Sequence, residues 1–218
     1  HLQPFAKAGN LEAMYLLGRM YILGRGVKRS PKKALFWFQK AATMGYTRAQ
    51  LSLGYLYDLG DGVSKNYKQA FKWYLKAAKS GNAVAQRNIA LMYFVGEGMV
   101  LDKSKGIYWL KKSANQGYVR SELALAYSYL RGNGVIENKK LSFEWFKLAA
   151  RHGSVRAQYM LGLLYRSGKG TEKNIKNAVK WLHYAARQGH TKAMGYMGYH
   201  LSTGLGIEKN QELARFYY

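Results

Sequence analysis

The chain of 218 residues has no cysteine, two prolines and only 11 acidic residues. Without cysteine it has neither disulfide staples nor thiolate metal sites, although this leaves both the cytosol and the bacterial periplasm open. No run of about 18 uncharged apolar residues occurs, so no membrane-spanning helix is expected. The most apolar stretch, residues 89–101, is broken by Glu97 and two glycines. The scarcity of carboxylates leaves no paired-acid motif and no His-Glu-x-x-His. The five histidines, His1, His152, His183, His190 and His200, include no pair one helical turn apart. A catalytic or metal site needs convergent groups in named roles, so no enzymatic activity, metal or cofactor is expected. The chain begins at His1 and not at Met, as expected of a processed or excised form.

Against 11 acids stand 35 Lys and Arg, a net charge of +24. Such a field attracts acidic proteins, anionic polymers, nucleic acid or an anionic membrane surface. On solvated helix faces the same charge serves solubility alone.

What the chain has in quantity is glycine, and at a period. Gly24-Arg25-Gly26-Val27 returns as Gly60-Asp61-Gly62-Val63 and Gly96-Glu97-Gly98-Met99. It returns again as Gly132-Asn133-Gly134-Val135, Gly168-Lys169-Gly170-Thr171 and Gly204-Leu205-Gly206-Ile207. The spacing is 36 residues each time, without insertion or deletion. A fixed period of this size marks an array of supersecondary units. The motif is not a phosphate loop, because no strand precedes it and no Gly-Lys-Ser/Thr follows.

Residues 45–80 serve as the type unit. A first helix, A, is expected from about Thr47 to Leu59, with Ala49, Leu53, Leu56 and Tyr57 on one face. Gly60 ends it, at least one of Gly60 and Gly62 needs positive φ, and Val63 tucks back over the turn. A second helix, B, is expected from about Tyr67 to Lys79. Asn66 precedes it, and its equivalents Ser30, Asp102, Asn138, Asn174 and Asn210 are all strong N-cap residues. Small residues recur in helix A (Gly18, Gly54, Ala90, Ala126, Gly162, Gly198) and in helix B (Ala34, Ala70, Gly106, Ser142, Ala178, Ala214), allowing close helix approach. Trp37, Trp73, Trp109, Trp145 and Trp181, with Tyr217 sixth and His1 at the head of the column, are expected to fill the space between adjacent repeats.

The residues Ala49, Leu53, Gly54, Tyr57, Gly60, Gly62, Val63, Ala70, Trp73, Ala77, Ala78 and Gly81 resemble the Sel1-like repeat, a relative of the tetratricopeptide repeat. The resemblance covers essentially the whole chain. It implies an all-α, right-handed α/α solenoid with helix A concave and helix B convex. One solenoid over 1–218 is expected: a partial helix B at 1–9, repeats at about 10–45, 46–81, 82–117, 118–153 and 154–189, and a partial repeat at 190–218. The family consists mostly of bacterial adaptors and scaffolds without shared catalytic residues. Many are exported, which favours a periplasmic over a cytoplasmic location.

Columns that vary between repeats are expected to face solvent. On helix A they point to a partner-binding groove comprising Arg48, Tyr55, Arg87, Leu91, Arg120, Tyr127, Arg156, Leu163, Lys192 and Tyr199. Tyr and Arg are residues that anchor interfaces. Equally, Tyr55, Leu91, Tyr127, Leu163 and Tyr199 are of a kind to pack on one another as a ladder. The expected partner is an acidic protein, in signalling, secretion or effector neutralisation. The alternative is an anionic polymer, either cell-envelope glycan or nucleic acid.

Overall fold

The computed structural model describes residues 2–218, and His1 with its place in the tryptophan column lies outside the described residues. Every regular element described is an α-helix. The chain divides into two compact units. The first, residues 1–113, holds α1 (Gln3–Lys7), α2 (Leu11–Leu23), α3 (Pro31–Thr43), α4 (Thr47–Leu59), α5 (Tyr67–Lys79), α6 (Ala83–Val95) and all but the last residue of α7 (Lys103–Ala114). The second, residues 114–218, holds α8 (Val119–Arg131), α9 (Lys139–Arg151), α10 (Val155–Ser167), α11 (Ile175–Arg187), α12 (Thr191–Thr203) and α13 (Gln211–Tyr217). Even-numbered helices are A helices and odd-numbered ones B helices. In the second unit each helix packs on the next, from α8 to α13.

The corner between A and B is closed by the same backbone hydrogen bonds six times. In the type unit the Gly60 N–H caps Leu56 O at 2.9 Å, and the Asn66 N–H closes the loop onto Tyr57 O at 2.8 Å. The six expected N-cap side chains each accept the backbone N–H three residues on. Both glycines of the corner have positive φ, +77° at Gly60 and +80° at Gly62. Their reasons differ. Gly60 is the left-handed end of α4. Gly62 lies against the first residue of the preceding B helix, where a β-carbon would sit 2.6 Å from the Pro31 carbonyl carbon. Gly98 meets Tyr67, Gly170 meets Lys139 and Gly206 meets Ile175 in the same way, whereas Gly26 has only the Met20 side chain near it.

The small column of helix A admits a ring, though not the tryptophan. A β-carbon on Gly18 or Gly54 would strike Phe38 or Tyr74, and one on Gly162 would lie 2.7 Å from Leu182. These belong to a column one residue past tryptophan: Phe38, Tyr74, Leu110, Phe146 and Leu182, all buried. Trp37, Trp73 and Trp109 are buried beside it, while Trp145 and Trp181 are only partly so. The small columns also meet across the A–B interface, where Ser142 Oγ donates to Ala126 O at 2.8 Å.

A third column holds buried amides. Gln50, Gln86 and Gln158 donate Nε2 to Ala42 O, Ala78 O and Ala150 O at 3.1–3.3 Å. They thereby bind carbonyls at the ends of B helices, where intrahelical donors run out. Glu122 occupies this column in the fourth repeat, fully buried. Its carboxylate oxygens lie 2.8 and 3.0 Å from His152 Nδ1, at the end of α9. Burial pushes the Glu122 carboxyl above its ordinary value, and His152 opposes that shift.

Three stability measurements test this packing by urea unfolding. Gly26→Ala is expected to cost about 1 kcal/mol, the strain of positive φ alone. Gly62→Ala, with the same φ penalty plus contact with Pro31, is expected to cost clearly more. Equal losses would remove the stacking role of the second glycine. Phe146→Ala is expected to cost roughly 3–5 kcal/mol and to exceed Trp145→Ala, and the reverse order would restore tryptophan as the principal filler. For Glu122, a carboxyl raised by folding contributes stability that is complete in acid and is lost as pH climbs through its folded value. Glu122→Gln is therefore expected to change little at about pH 4 and to stabilise at about pH 8. Destabilisation at both pH values would mean that the His152 pair outweighs burial.

Candidate functional site

The expected groove residues lie on the A helices, and the two units treat them differently. In the first unit Arg48 is exposed but faces Glu12 at 3.6 Å. Such an exposed pair contributes little to stability, yet it offsets the charge. Tyr55 is exposed and rests edge-on against Tyr74, with ring centroids 5.5 Å apart. The buried Tyr74 hydroxyl donates to Asp58 at 3.2 Å. Its phenol is pushed far above the ordinary range, by burial first and then by Asp58. Leu91 is exposed. Arg87 is only half-exposed, and its Nε is buried without a hydrogen-bond partner.

In the second unit Arg120, Arg156 and Lys192 are exposed, Tyr199 is 42% exposed, and Tyr127 and Leu163 are half-buried. Tyr127 packs edge-on against Phe146 at 5.0 Å. Its hydroxyl accepts from Arg156 Nε at 3.1 Å. The guanidiniums of Arg156 and Arg131 stand 5.2 and 5.4 Å from its ring centre. Tyr55 and Tyr127 each lean on the large residue of their own B helix, because that residue, seated in the small column, is the nearest aromatic wall.

Four further side chains complete the second unit's surface. Tyr159 stacks on His190 at 4.4 Å and lies 6.1 Å from Tyr196. Arg166 stands over Tyr196 at 4.9 Å and over Tyr199 at 6.0 Å. Burial, with Tyr196 and Tyr127 near, holds the Tyr159 phenol above its ordinary value, so it is neutral at physiological pH. Two open recesses, of about 690 and 540 Å³, share Tyr159 and Lys192 as walls. A third, of about 620 Å³ and largely aliphatic, lies towards the corners beside Leu163 and Arg166. Sequence reasoning did not single out Tyr159, Arg166 or Tyr196, and His190 entered it only in the search for a metal or catalytic site. The available signal was the spacing of Arg156, Tyr159, Leu163 and Arg166, which puts all four on one face of α10.

The chemistry on offer is recognition. Guanidiniums bind carboxylates through paired N–H donors, and neutral phenols both donate and accept. Among the described residues no three His, Asp or Glu side chains converge as metal ligands. No described helix is long and apolar enough to cross a membrane.

Comparison with known proteins bears on the repeat itself. Sel1 repeats are matched at residues 11–46, 47–82, 83–118, 119–154, 155–190 and 191–218. The chain superimposes with a TM-score of 0.97 and 33% identity on a protective antigen present in uropathogenic Escherichia coli strains, which displays an SLR fold. That alignment covers all of this chain and 46% of the antigen, so the chain spans about half of the antigen's length. A Sel1 repeat protein from Oxalobacter formigenes follows at TM-score 0.79 and 32% identity, covering 95% of this chain and 83% of that one. An immunity protein from Pseudomonas aeruginosa, at TM-score 0.52 and 21% identity over 96% of this chain and 80% of that one, shares the fold alone. No curated protein matches the chain. Proteins built of this repeat are generally non-enzymatic scaffolds for protein interaction. With six consecutive matches spanning residues 11–218, the chain belongs to the Sel1 repeat family.

Proposed function

We propose that the chain is a non-enzymatic interaction module that holds an acidic protein segment on the solvent face of its A helices. One observation carries this reading. On α8, α10 and α12 every Asp, Glu, Lys or Arg side chain that reaches solvent is basic: Arg120, Arg131, Arg156, Arg166 and Lys192. The one acid on these helices, Glu122, is buried against His152. Tyrosines stand between the cations, and Tyr and Arg are the side chains that most often anchor interfaces. A face of one sign speeds encounter with an acidic partner and selects against basic ones. Because Tyr127 is braced on Phe146 and Tyr159 on His190, little side-chain freedom is lost on binding.

Three lysines of the B helices are already engaged on the chain itself, which weighs against a dedicated anionic-polymer track through them. Lys40, Lys76 and Lys112 each sit over their own repeat's tryptophan, at 5.7, 4.3 and 5.6 Å from the ring centre. They are thus engaged in cation–π packing on the chain itself.

Affinity capture from the source cells, with wild type beside an Arg120→Glu/Tyr127→Ala/Arg156→Glu variant of unchanged circular dichroism, tests the reading. Acidic proteins are expected with wild type, in amounts that fall as salt screens the contact, and they are expected to be lost with the variant. A folded variant that retains the same partners overturns the A-helix face as the binding surface.

A further inference from the structure

We propose that the α10 stripe of the second unit selects an extended peptide with two acidic side chains four residues apart and an apolar side chain midway, acidic–x–apolar–x–acidic. This deepens the reading above and rests on it.

The spacing comes from the helix. Arg156, Tyr159, Leu163 and Arg166 stand at i, i+3, i+7 and i+10, one face of α10 with a cation at each end. Ten residues at helical rise put the two arginine Cα atoms about 15 Å apart. An extended peptide rises about 3.3 Å per residue and alternates its side chains, so residues four apart lie on one side about 13 Å from each other. Two apart is about half that distance and six apart about 20 Å, so four is the match within the reach of a guanidinium. The middle residue on that side then falls over Tyr159 and Leu163.

The cations are available for this. Among the described residues neither Arg156, Arg166 nor Lys192 has an acidic partner. The bond from Arg156 Nε to the Tyr127 hydroxyl orients that guanidinium and leaves its terminal nitrogens as the fork that meets a carboxylate. Arg166 is held by the rings of Tyr196 and Tyr199. The two recesses that share Tyr159 and Lys192 give the peptide room along α10.

The rings argue for a peptide over nucleic acid. Single-stranded binding needs open aromatic faces on which bases stack. Here Tyr159 is stacked on His190, Tyr127 carries two guanidiniums and Tyr196 carries Arg166.

Fluorescence anisotropy with the full chain and short dye-labelled peptides tests the proposal. The peptides carry a central Glu-Ser-Leu-Ser-Glu, the same residues with the two glutamates adjacent, or Gln-Ser-Leu-Ser-Gln. The spaced acidic peptide is expected to bind at least about tenfold more tightly than its isomer of equal charge, and the glutamine peptide not at all. Arg156→Glu and Arg166→Glu are each expected to weaken the spaced peptide at least about tenfold and to erase its advantage. Arg156→Gln and Arg166→Gln repeat the test should either charge reversal unfold the chain. Lys176→Glu on α11 makes the same-sign charge change away from the stripe and is expected to keep the preference. Equal binding of the two acidic isomers overturns the proposal. So does a preference that survives loss of both arginines, or oligothymidylate binding that the spaced peptide does not displace. If captured partners still depend on Arg120, Tyr127 and Arg156 while the isomers bind equally, the spacing rule alone falls. If capture is indifferent to those residues, the broader reading falls with it.

Discussion

The corner where a glycine meets the backbone of the preceding repeat is the contact on which the rest depends. At Gly62 the neighbouring atoms are Pro31 carbonyl and side-chain atoms, and at Gly98, Gly170 and Gly206 they are again the first residues of the preceding B helix. Main chain cannot yield as the end of a flexible side chain can, so within each unit these corners are seated at a fixed distance from the B helix before them. The first glycine of each pair does a local task, ending an A helix in the left-handed conformation. The second does an inter-repeat task. A loop with only the first would make a helical hairpin, but nothing in it would set the spacing between hairpins. At these four corners one extra residue in the loop would displace the second glycine from the place where it is needed.

The corners and caps were legible because each is a local rule with a single good chemical answer. Helix ends at Thr47, Leu59, Tyr67 and Lys79 fall where the type unit places them, and all six B-helix caps bind as their residue types require. The deepest column was not legible. Phe38, Tyr74, Leu110, Phe146 and Leu182 differ in polarity and shape, so they look variable beside an almost invariant tryptophan. What they share is volume, and the requirement comes from the small residue of helix A facing them. A column of glycine and alanine in one helix is therefore best read as the imprint of a large side chain in another. The surface was half legible for a related reason. Variation identified the columns that reach solvent, but which rings brace which cations depends on contacts between repeats, as with Tyr159 and His190 or Arg166 and Tyr196.

Buried polar groups show how strictly the scaffold is specified. Three glutamines in one column use the same amide to hold the same carbonyl of a B helix. A carboxylate in that position loses the donor and brings a charge into an apolar site, a costly exchange unless the charge is paired. Glu122 has such a partner in His152. His152 occupies the position that holds Gln188 in the next repeat, where Gln188 Nε2 donates to Gln158 Oε1 at 2.7 Å. The acid and the imidazole thus stand where the next repeat has an amide–amide pair.

The same separation of tasks explains how a repeat with nearly fixed packing carries a specific surface. Corners, caps, small columns and amides use up the positions that recur, and they place the remaining A-helix positions on a regular lattice. In the first unit that lattice carries both signs, with Arg48 set against Glu12 and Asp58 taken up by Tyr74. In the second unit it carries only cations at the surface, held apart by tyrosines and a leucine. An isolated arginine on a solvated helix is a mobile charge, but here Arg156 is bonded to a phenol and Arg166 is laid over two rings. The separation between the two charges is then set by the rigid rise of α10. On the reading proposed, fixed separation turns a basic face, which attracts any polyanion, into one that discriminates among acidic segments by where their charges fall.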